Sequence, residues 1–377
     1  MRPLPLALAG LVALSACGGT DGEAPGAAPT AATTTLAAPR ATTAAPAATT
    51  APAATTAPPA DRPETVATGL DVPWAIAFLP DGDALVSERV GRIRRIAADD
   101  HAVSTAMRVP GVAAQGEGGL LGLAVSPTYA RDRWVYAYLT TARDNRIVRF
   151  RLGDRRVRPV LTGLRKGVIH DGGRIAFGPD GMLYAGVGDT GDTSLAQDRR
   201  AQNGKILRME PDGSVPRGNP FRGSRVWSLG HRNVQGLAWD ARGRLWASEF
   251  GQDRRDEINR IRKGRNYGWP VVEGVGATRG GRYANPLVTW STDQASPSGV
   301  AVAGGRLYVA ALRGQRLWRV PLRGARTGTP RALLTGRLGR LRAVAAAPDG
   351  SLWVATSNRD GRGAVRDGDD RIVRLRP

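Results

Sequence analysis

From Arg62 onward, apolar and polar residues alternate in short runs broken by glycine-rich turns, and no long stretch carries a helical period. The recurring unit is strand, turn, strand, loop, strand. Its first copy runs Pro73-Trp74-Ala75-Ile76-Ala77-Phe78, turns at Pro80-Asp81-Gly82, continues through Ala84-Leu85-Val86-Ser87-Glu88 and ends in Arg92-Ile93-Arg94-Arg95-Ile96. Further copies span 121–150, 168–209, 234–261, 297–320 and 341–375. Six such copies, each with an aromatic or aliphatic inner strand, predict an all-β fold, a six-bladed β-propeller. The strand-like Thr65-Val66-Ala67-Thr68-Gly69-Leu70 is placed to complete the C-terminal blade and close the ring, so that no long edge is left free.

One copy carries titratable groups at both open ends of its hairpin. His170 precedes the strand at Ile175, Pro179-Asp180-Gly181 makes the turn, and Asp189 follows the return strand. A tight turn brings both strand ends to one side, so the two can form a base and its orienting partner. The residues alone leave open whether they meet. Gly186-Val187-Gly188-Asp189-Thr190-Gly191 matches a dinucleotide-binding pattern, but no helix follows it and no βαβ unit surrounds it. Its glycines are read instead as allowing close backbone approach.

Two other regions suggest ligands. The stretch from Glu249 to Asn259, with Lys263 to Pro270, combines carboxylates, amides and an irregular loop, the hard oxygen donors Ca²⁺ prefers, without EF-hand spacing. Gly230-His231-Arg232-Asn233-Val234-Gln235-Gly236, Leu312-Arg313-Gly314 and Gly339-Arg340-Leu341-Arg342 sit at blade entries and exits. Guanidinium groups converging from separate blades suit an anion with several carboxylates. The acidic Asp367-Gly368-Asp369-Asp370 reads as a solvated turn.

Composition changes the picture at the N-terminus. Residues 1–17 have a basic start, a short apolar run and Leu14-Ser15-Ala16-Cys17, a lipoprotein signal whose only cysteine would carry the lipid. Residues 18–61 are nearly all Ala, Thr, Pro and Gly and predict a disordered tether, leaving 62–377 as the propeller. The expectation is an exported, lipid-anchored protein facing the periplasm or cell exterior. The formal charge of +21 comes mostly from scattered Arg, without the basic runs interleaved with aromatics of nucleic-acid binders, so no nucleic-acid partner is expected.

Taken together, these segments resemble the soluble glucose and aldose sugar dehydrogenases that use pyrroloquinoline quinone (PQQ). The matching parts are Gly-Leu-Leu-Gly at 119–122, His170 with Gly173-Arg174, Gly188-Asp189-x-Gly191, Gly230-His231-Arg232-Asn233-x-Gln235-Gly236, Asp256-Glu257-Ile258-Asn259, Asn266-Tyr267-Gly268-Trp269-Pro270 and Arg340-x-Arg342. The resemblance implies oxidation of an aldose at C1 to the lactone, with electrons passed to an external acceptor. By the same resemblance, His170 is the general base, Asp189 its partner, and Arg232 and Asn233 lie beside the quinone oxygen. Arg340 and Arg342 hold the cofactor, and Arg313 stands where the family has lysine. Gly251 and Gln252 offer carbonyls to a Ca²⁺ ion, while Glu257 and Tyr267 match a second, structural Ca²⁺ site. Glu117 stands in a segment where the family commonly has Gln, a cofactor- or substrate-contacting position. A cofactor-free, metal-dependent lactonase and a non-catalytic carbohydrate-binding surface propeller are the alternatives on the same architecture.

Overall fold

Each predicted unit forms one antiparallel sheet, because alternation lets one strand bury side chains against the blades on both sides. In the computed structural model, which describes residues 62–154 and 156–376, there are six such sheets. The lipoprotein signal expected over 1–17, with Cys17, and the tether expected over 18–61 lie outside the described residues. Blade 1 is Pro73–Phe78, Ala84–Glu88, Arg92–Ile96 and Val103–Arg108; blade 2 is Leu120–Val125, Val135–Thr140, Asn145–Phe150 and Arg158–Leu164. Blade 3 is Ile175–Phe177, Leu183–Val187, Lys205–Met209 and Val226–Leu229; blade 4 is Val234–Trp239, Leu245–Glu249, Asp256–Ile261 and Val288–Trp290. Blade 5 is Pro297–Ala303, Arg306–Ala311 and Arg316–Arg323, edged by Arg326–Thr327 and Arg331–Leu333. Blade 6 joins Leu341–Ala346, Leu352–Thr356 and Ile372–Leu375 to Glu64–Ala67 as its outermost strand.

The N-terminal strand thus completes the C-terminal blade, as the sequence suggests, with Glu64 opposite Arg374 and Ala67 opposite Ile372. Apolar clusters fill the space between neighbouring blades. Trp74, Leu121, Tyr138 and Ile175 belong to a core running through blades 1 to 3. Blade 3 meets blade 4 through Tyr184 and Leu237, and blade 4 meets blade 5 through Trp246 and Val309. Tyr308 and Val354 join blades 5 and 6, and Val86 with Trp353 closes the circle between blades 1 and 6.

Two features differ from the sequence reading. The repeat identifies three strands per blade, whereas each sheet has a fourth, outermost strand such as Val103–Arg108 or Arg158–Leu164. Val103–Arg108 and Arg158–Leu164 are largely solvent-facing and carry no clean alternation, while Val226–Leu229 and Val288–Trp290 are buried but only three or four residues long. The Asp367–Asp370 loop is not a solvated turn: the Asp369 and Asp370 side chains are buried. Asp370 accepts from the Asn358 amide at 2.6 Å and from Thr356 Oγ1 at 3.0 Å, and Asp369 accepts from Asn358 Nδ2 at 2.8 Å. These bonds stabilise the loop that carries Asp360 and Arg362 over the end of the central channel.

Candidate active site

The starts of the inner strands and the ends of the second strands all face the same rim, and a cavity of about 430 Å³ opens there. Its wall includes Glu117, His170, Arg232, Gly251, Gln252, Arg313, Arg340 and Arg342, so eight of the twelve residues singled out from the sequence converge on it.

His170 sits in the loop ahead of the Ile175–Phe177 strand in a left-handed conformation, φ 56°. Its carbonyl lies so near Gly188 that a Cβ there would stand 1.8 Å from the oxygen, which is why this strand exit requires glycine. Nδ1 faces Asp189 Oδ1 at 2.7 Å. Asp189, fully buried, also accepts from the Gly191 amide at 2.9 Å and from Trp269 Nε1 at 2.8 Å. Burial alone would raise its carboxyl, but the bonds from His170, Gly191 and Trp269 outweigh it and hold it below the ordinary aspartate range. Asp189 therefore stays charged and fixes a proton on Nδ1. That leaves Nε2 as the basic nitrogen of an imidazole that lines the cavity.

Glu117 belongs to this loop cluster. Its Oε2 accepts from the His170 amide at 2.9 Å and its Oε1 pairs with Arg362 at 3.1 Å. Burial works against its charge, yet the His170 amide and Arg362 lower its carboxyl below the usual value.

Arg232 is tied in from several sides. Its amide donates to Glu249 Oε1 at 2.5 Å, its carbonyl accepts from the Asp189 amide at 2.8 Å, and its guanidinium lies 5.5 Å over the Trp269 ring. Burial lowers its pKa. Asn233 is buried behind the cavity wall, its Oδ1 accepting from the Gly172 amide at 3.1 Å. Arg232 Nε, Asn233 Nδ2, Arg342 Nε and Arg174 Nη2 are buried donors without a partner among the described residues. Arg232 and Arg342 line the cavity, and unpaired donors on its wall mark a site built for an acceptor-rich ligand.

Arg340 and Arg342 share Asp360: Arg340 contacts Oδ2 through Nε at 3.0 Å and Nη2 at 2.9 Å, and Arg342 Nη2 is 3.7 Å away. Arg342 also donates to Gln235 Oε1 at 2.8 Å, and burial brings its pKa down to about 10. Arg174, stacked 4.3 Å over Trp74, falls to about 9 through burial and the nearby Arg342 charge.

The loop after Leu245–Glu249 turns its amides inward onto one carboxylate. Glu273 Oε1 accepts from the amides of Gln252 at 2.9 Å, Asp253 at 3.2 Å, Arg254 at 2.9 Å and Arg255 at 3.0 Å. A Cβ on Gly251 would lie 1.9 Å from the Arg255 carbonyl, so the loop admits only glycine there. The Gly251 amide is taken by Asp256 at 2.9 Å. Among the described residues no donor engages the carbonyls of Gly251 and Gln252, which belong to the cavity wall.

Glu257 and Tyr267 lie outside the cavity. Glu257 accepts from the Gly274 amide at 2.7 Å and Asn259 Nδ2 at 2.8 Å, and burial together with Glu249 pushes its carboxyl up to about 8. The Tyr267 hydroxyl donates to the Arg260 carbonyl at 2.7 Å. No group of three or more His, Cys, Asp or Glu side chains suited to a metal occurs among the described residues.

Several residues at the site carry no role in the sequence reading. Trp269 grips Asp189 and stacks on Arg232; Asp360 orders two arginines; Glu273 sets the carbonyl loop; His231 and Glu249 brace Arg232 from behind. Trp269 and His231 fall within the family-like motifs, which is the one signal that could have found them. Glu273 and Asp360 lie in segments without a motif.

Comparison with known proteins places this geometry. Residues 70–367 match the family model described as glucose / sorbosone dehydrogenase. The chain is 56% identical to an aldose sugar dehydrogenase of Streptomyces coelicolor solved in a PQQ-bound form, with TM-score 0.80 over 83% of this chain and 96% of that one. It is 30% identical to the aldose sugar dehydrogenase YliI of Escherichia coli over 79% of this chain and 90% of the relative. To quinoprotein glucose dehydrogenase B of Acinetobacter calcoaceticus it is 34% identical, spanning 64% of this chain and 59% of that protein.

Proposed function

The chain belongs to the glucose / sorbosone dehydrogenase family, and from that premise we propose that it oxidises an aldose at C1 to the lactone with PQQ and Ca²⁺ held in the cavity, passing electrons to an external acceptor. The observation that carries the proposal is the buried His170–Asp189 pair, 2.7 Å apart, with the imidazole presented to a cavity lined by arginines.

The cavity fits the cofactor. Arg89, Arg232, Arg313, Arg340, Arg342 and Arg362 outnumber the carboxylates of Glu117, Asp256 and Asp360 by three, and PQQ is a tricarboxylate. The unpartnered donors on Arg232 and Arg342, both on the cavity wall, suit its oxygens. The undonated carbonyls of Gly251 and Gln252 are oxygen ligands of the kind Ca²⁺ takes. Arg313 keeps the positive charge of the family lysine with a planar fork in place of a point charge. Bound PQQ supplies the two-electron acceptance that no side chain of the protein can provide.

The residues present divide the remaining work. His170 Nε2 takes the proton of the anomeric hydroxyl, because Nδ1 is committed to Asp189. Asp189 fixes that tautomer and stabilises the imidazolium once it forms. Arg232 and Asn233 direct donors at the oxygen on which negative charge builds, and burial strengthens that interaction. Arg340 and Arg342, aligned by Asp360, would hold the carboxylates of PQQ. Lipid attachment at Cys17 and export belong to the same proposal, with the propeller displayed outside the cytoplasm.

The test is loading of the full chain with PQQ and Ca²⁺, followed by a panel of aldoses with an artificial electron acceptor. Acceptor reduction that requires PQQ, Ca²⁺ and an aldose is expected. Lactone hydrolysis by the cofactor-free chain, or no reduction with any aldose after loading, would refute it.

A further inference from the structure

Between Asp293 and Asp349 the chain contains ten arginines and not one Asp or Glu. This segment is the whole of blade 5 and the entry to blade 6. Arg313, Arg340 and Arg342 belong to the cavity. Arg319, Arg323, Arg326 and Arg331 do not, and the register sets them against one another. Arg319 lies directly opposite Arg331, and Arg323 directly opposite Arg326. Cross-strand neighbours project from the same face, and Arg319 and Arg323 share it by the two-residue period. Tyr308, opposite Arg319, packs into the cluster between blades 5 and 6, so this face looks toward blade 6. Arg306, opposite Pro321 near the foot of the same face, adds a fifth charge.

Like charges placed directly opposite on adjacent strands are destabilising. No carboxylate pairs with any of the five among the described residues. Glu64 and Asp349, at that end of blade 6, are engaged by Arg374 at 2.7 and 3.9 Å. Arg306, Arg323, Arg326 and Arg331 are exposed.

Strand direction locates the patch. Arg316–Arg323 starts near the cavity rim and descends, so Arg323 and Arg326 stand on the opposite rim, and Arg306 begins the ascending strand there. Glu64–Ala67 runs antiparallel to Ile372–Leu375 and therefore also ascends, which brings the chain into blade 6 from that same far rim. The patch and the point where the N-terminal segment joins the propeller are on neighbouring blades at one end. The cavity opens at the other.

We propose that the wedge formed by Arg306, Arg319, Arg323, Arg326 and Arg331 docks the far rim of the propeller on an anionic phospholipid surface, leaving the cavity open to solvent. Lipid headgroup phosphates supply the counter-charge that the fold withholds, and a chain anchored at Cys17 would meet the propeller at this rim. This inference does not depend on the sugar chemistry.

The experiment uses the full chain with Cys17→Ser, which blocks lipid attachment, sedimented with vesicles of phosphatidylcholine alone or mixed with phosphatidylglycerol. Binding is expected to require phosphatidylglycerol and to weaken as salt rises. Arg319→Gln, Arg323→Gln, Arg326→Gln and Arg331→Gln combined should weaken it at least about tenfold. Removing as many charges on the cavity rim, with Arg143→Gln, Arg165→Gln, Arg199→Gln and Arg200→Gln, should change it by less than about threefold. Equal losses in the two variants, binding indifferent to phosphatidylglycerol, or retention by soluble polyglutamate without vesicle binding would each overturn the proposal.

Discussion

The molecule contains two histidines held by carboxylates in nearly the same way and put to different use. His170 Nδ1 meets Asp189 at 2.7 Å, and His231 Nδ1 meets Glu249 at 2.8 Å. The contrast lies at the other ring nitrogen. His170 Nε2 is presented to the cavity, whereas His231 Nε2 is closed off by Ser228 Oγ at 2.8 Å. His231 is wholly buried and stacked on Tyr267 with ring centres 4.9 Å apart. A Ser-His-Glu row of this kind has the partners of a nucleophilic triad, but no substrate can reach it. Its product is position: Glu249 also receives the Arg232 amide, so the row sets the height at which that arginine enters the cavity. A carboxylate–imidazole pair is therefore a base or a brace according to what its second nitrogen meets.

Asp189→Asn should break the first half of that comparison most severely. An amide at this position no longer enforces the Nδ1–H tautomer, and kcat should fall by roughly three orders of magnitude with the fold intact, read by steady-state kinetics beside a circular dichroism melt. His231→Ala should act on the second half through stability. It strands Glu249 without its imidazole and should cost about 3 kcal/mol in urea unfolding. An activity loss without that destabilisation would give His231 a chemical role instead.

The smallest effect concerns Glu117. The His170 amide and Arg362, acting against burial, hold the carboxyl below its ordinary value. Its stabilising contribution is therefore complete above the unfolded glutamate value, 4.5, and is lost as pH falls through the lower folded one. Glu117→Gln removes that dependence. The stability gap between wild type and variant should be constant at neutral pH and shrink below about pH 4.5, as measured by denaturant titration across pH.

Legibility in the sequence followed the same division between direct and indirect roles. Second strands such as Leu183–Val187 are buried on both faces and follow a Pro-Asp-Gly turn, so their pattern is strong and the six-blade count follows. Outermost strands such as Arg158–Leu164 answer mainly to solvent and carry no such pattern. The His170–Asp189 pair could be found because one hairpin makes the contact. Trp269 reaches Asp189 across 80 residues of chain, and Glu273 reaches the Gln252 amide across 21, contacts that no local spacing encodes. Asp369 and Asp370 look like a solvated turn in the sequence for a related reason: their hydrogen-bond partners, Thr356 and Asn358, lie on a preceding strand and loop.

The most direct measurement is kcat of the His170→Ala chain, loaded with PQQ and Ca²⁺, at saturating aldose, alongside its PQQ affinity. The account predicts that kcat falls by roughly two to four orders of magnitude while PQQ binds as in the wild type. An unchanged kcat would contradict it.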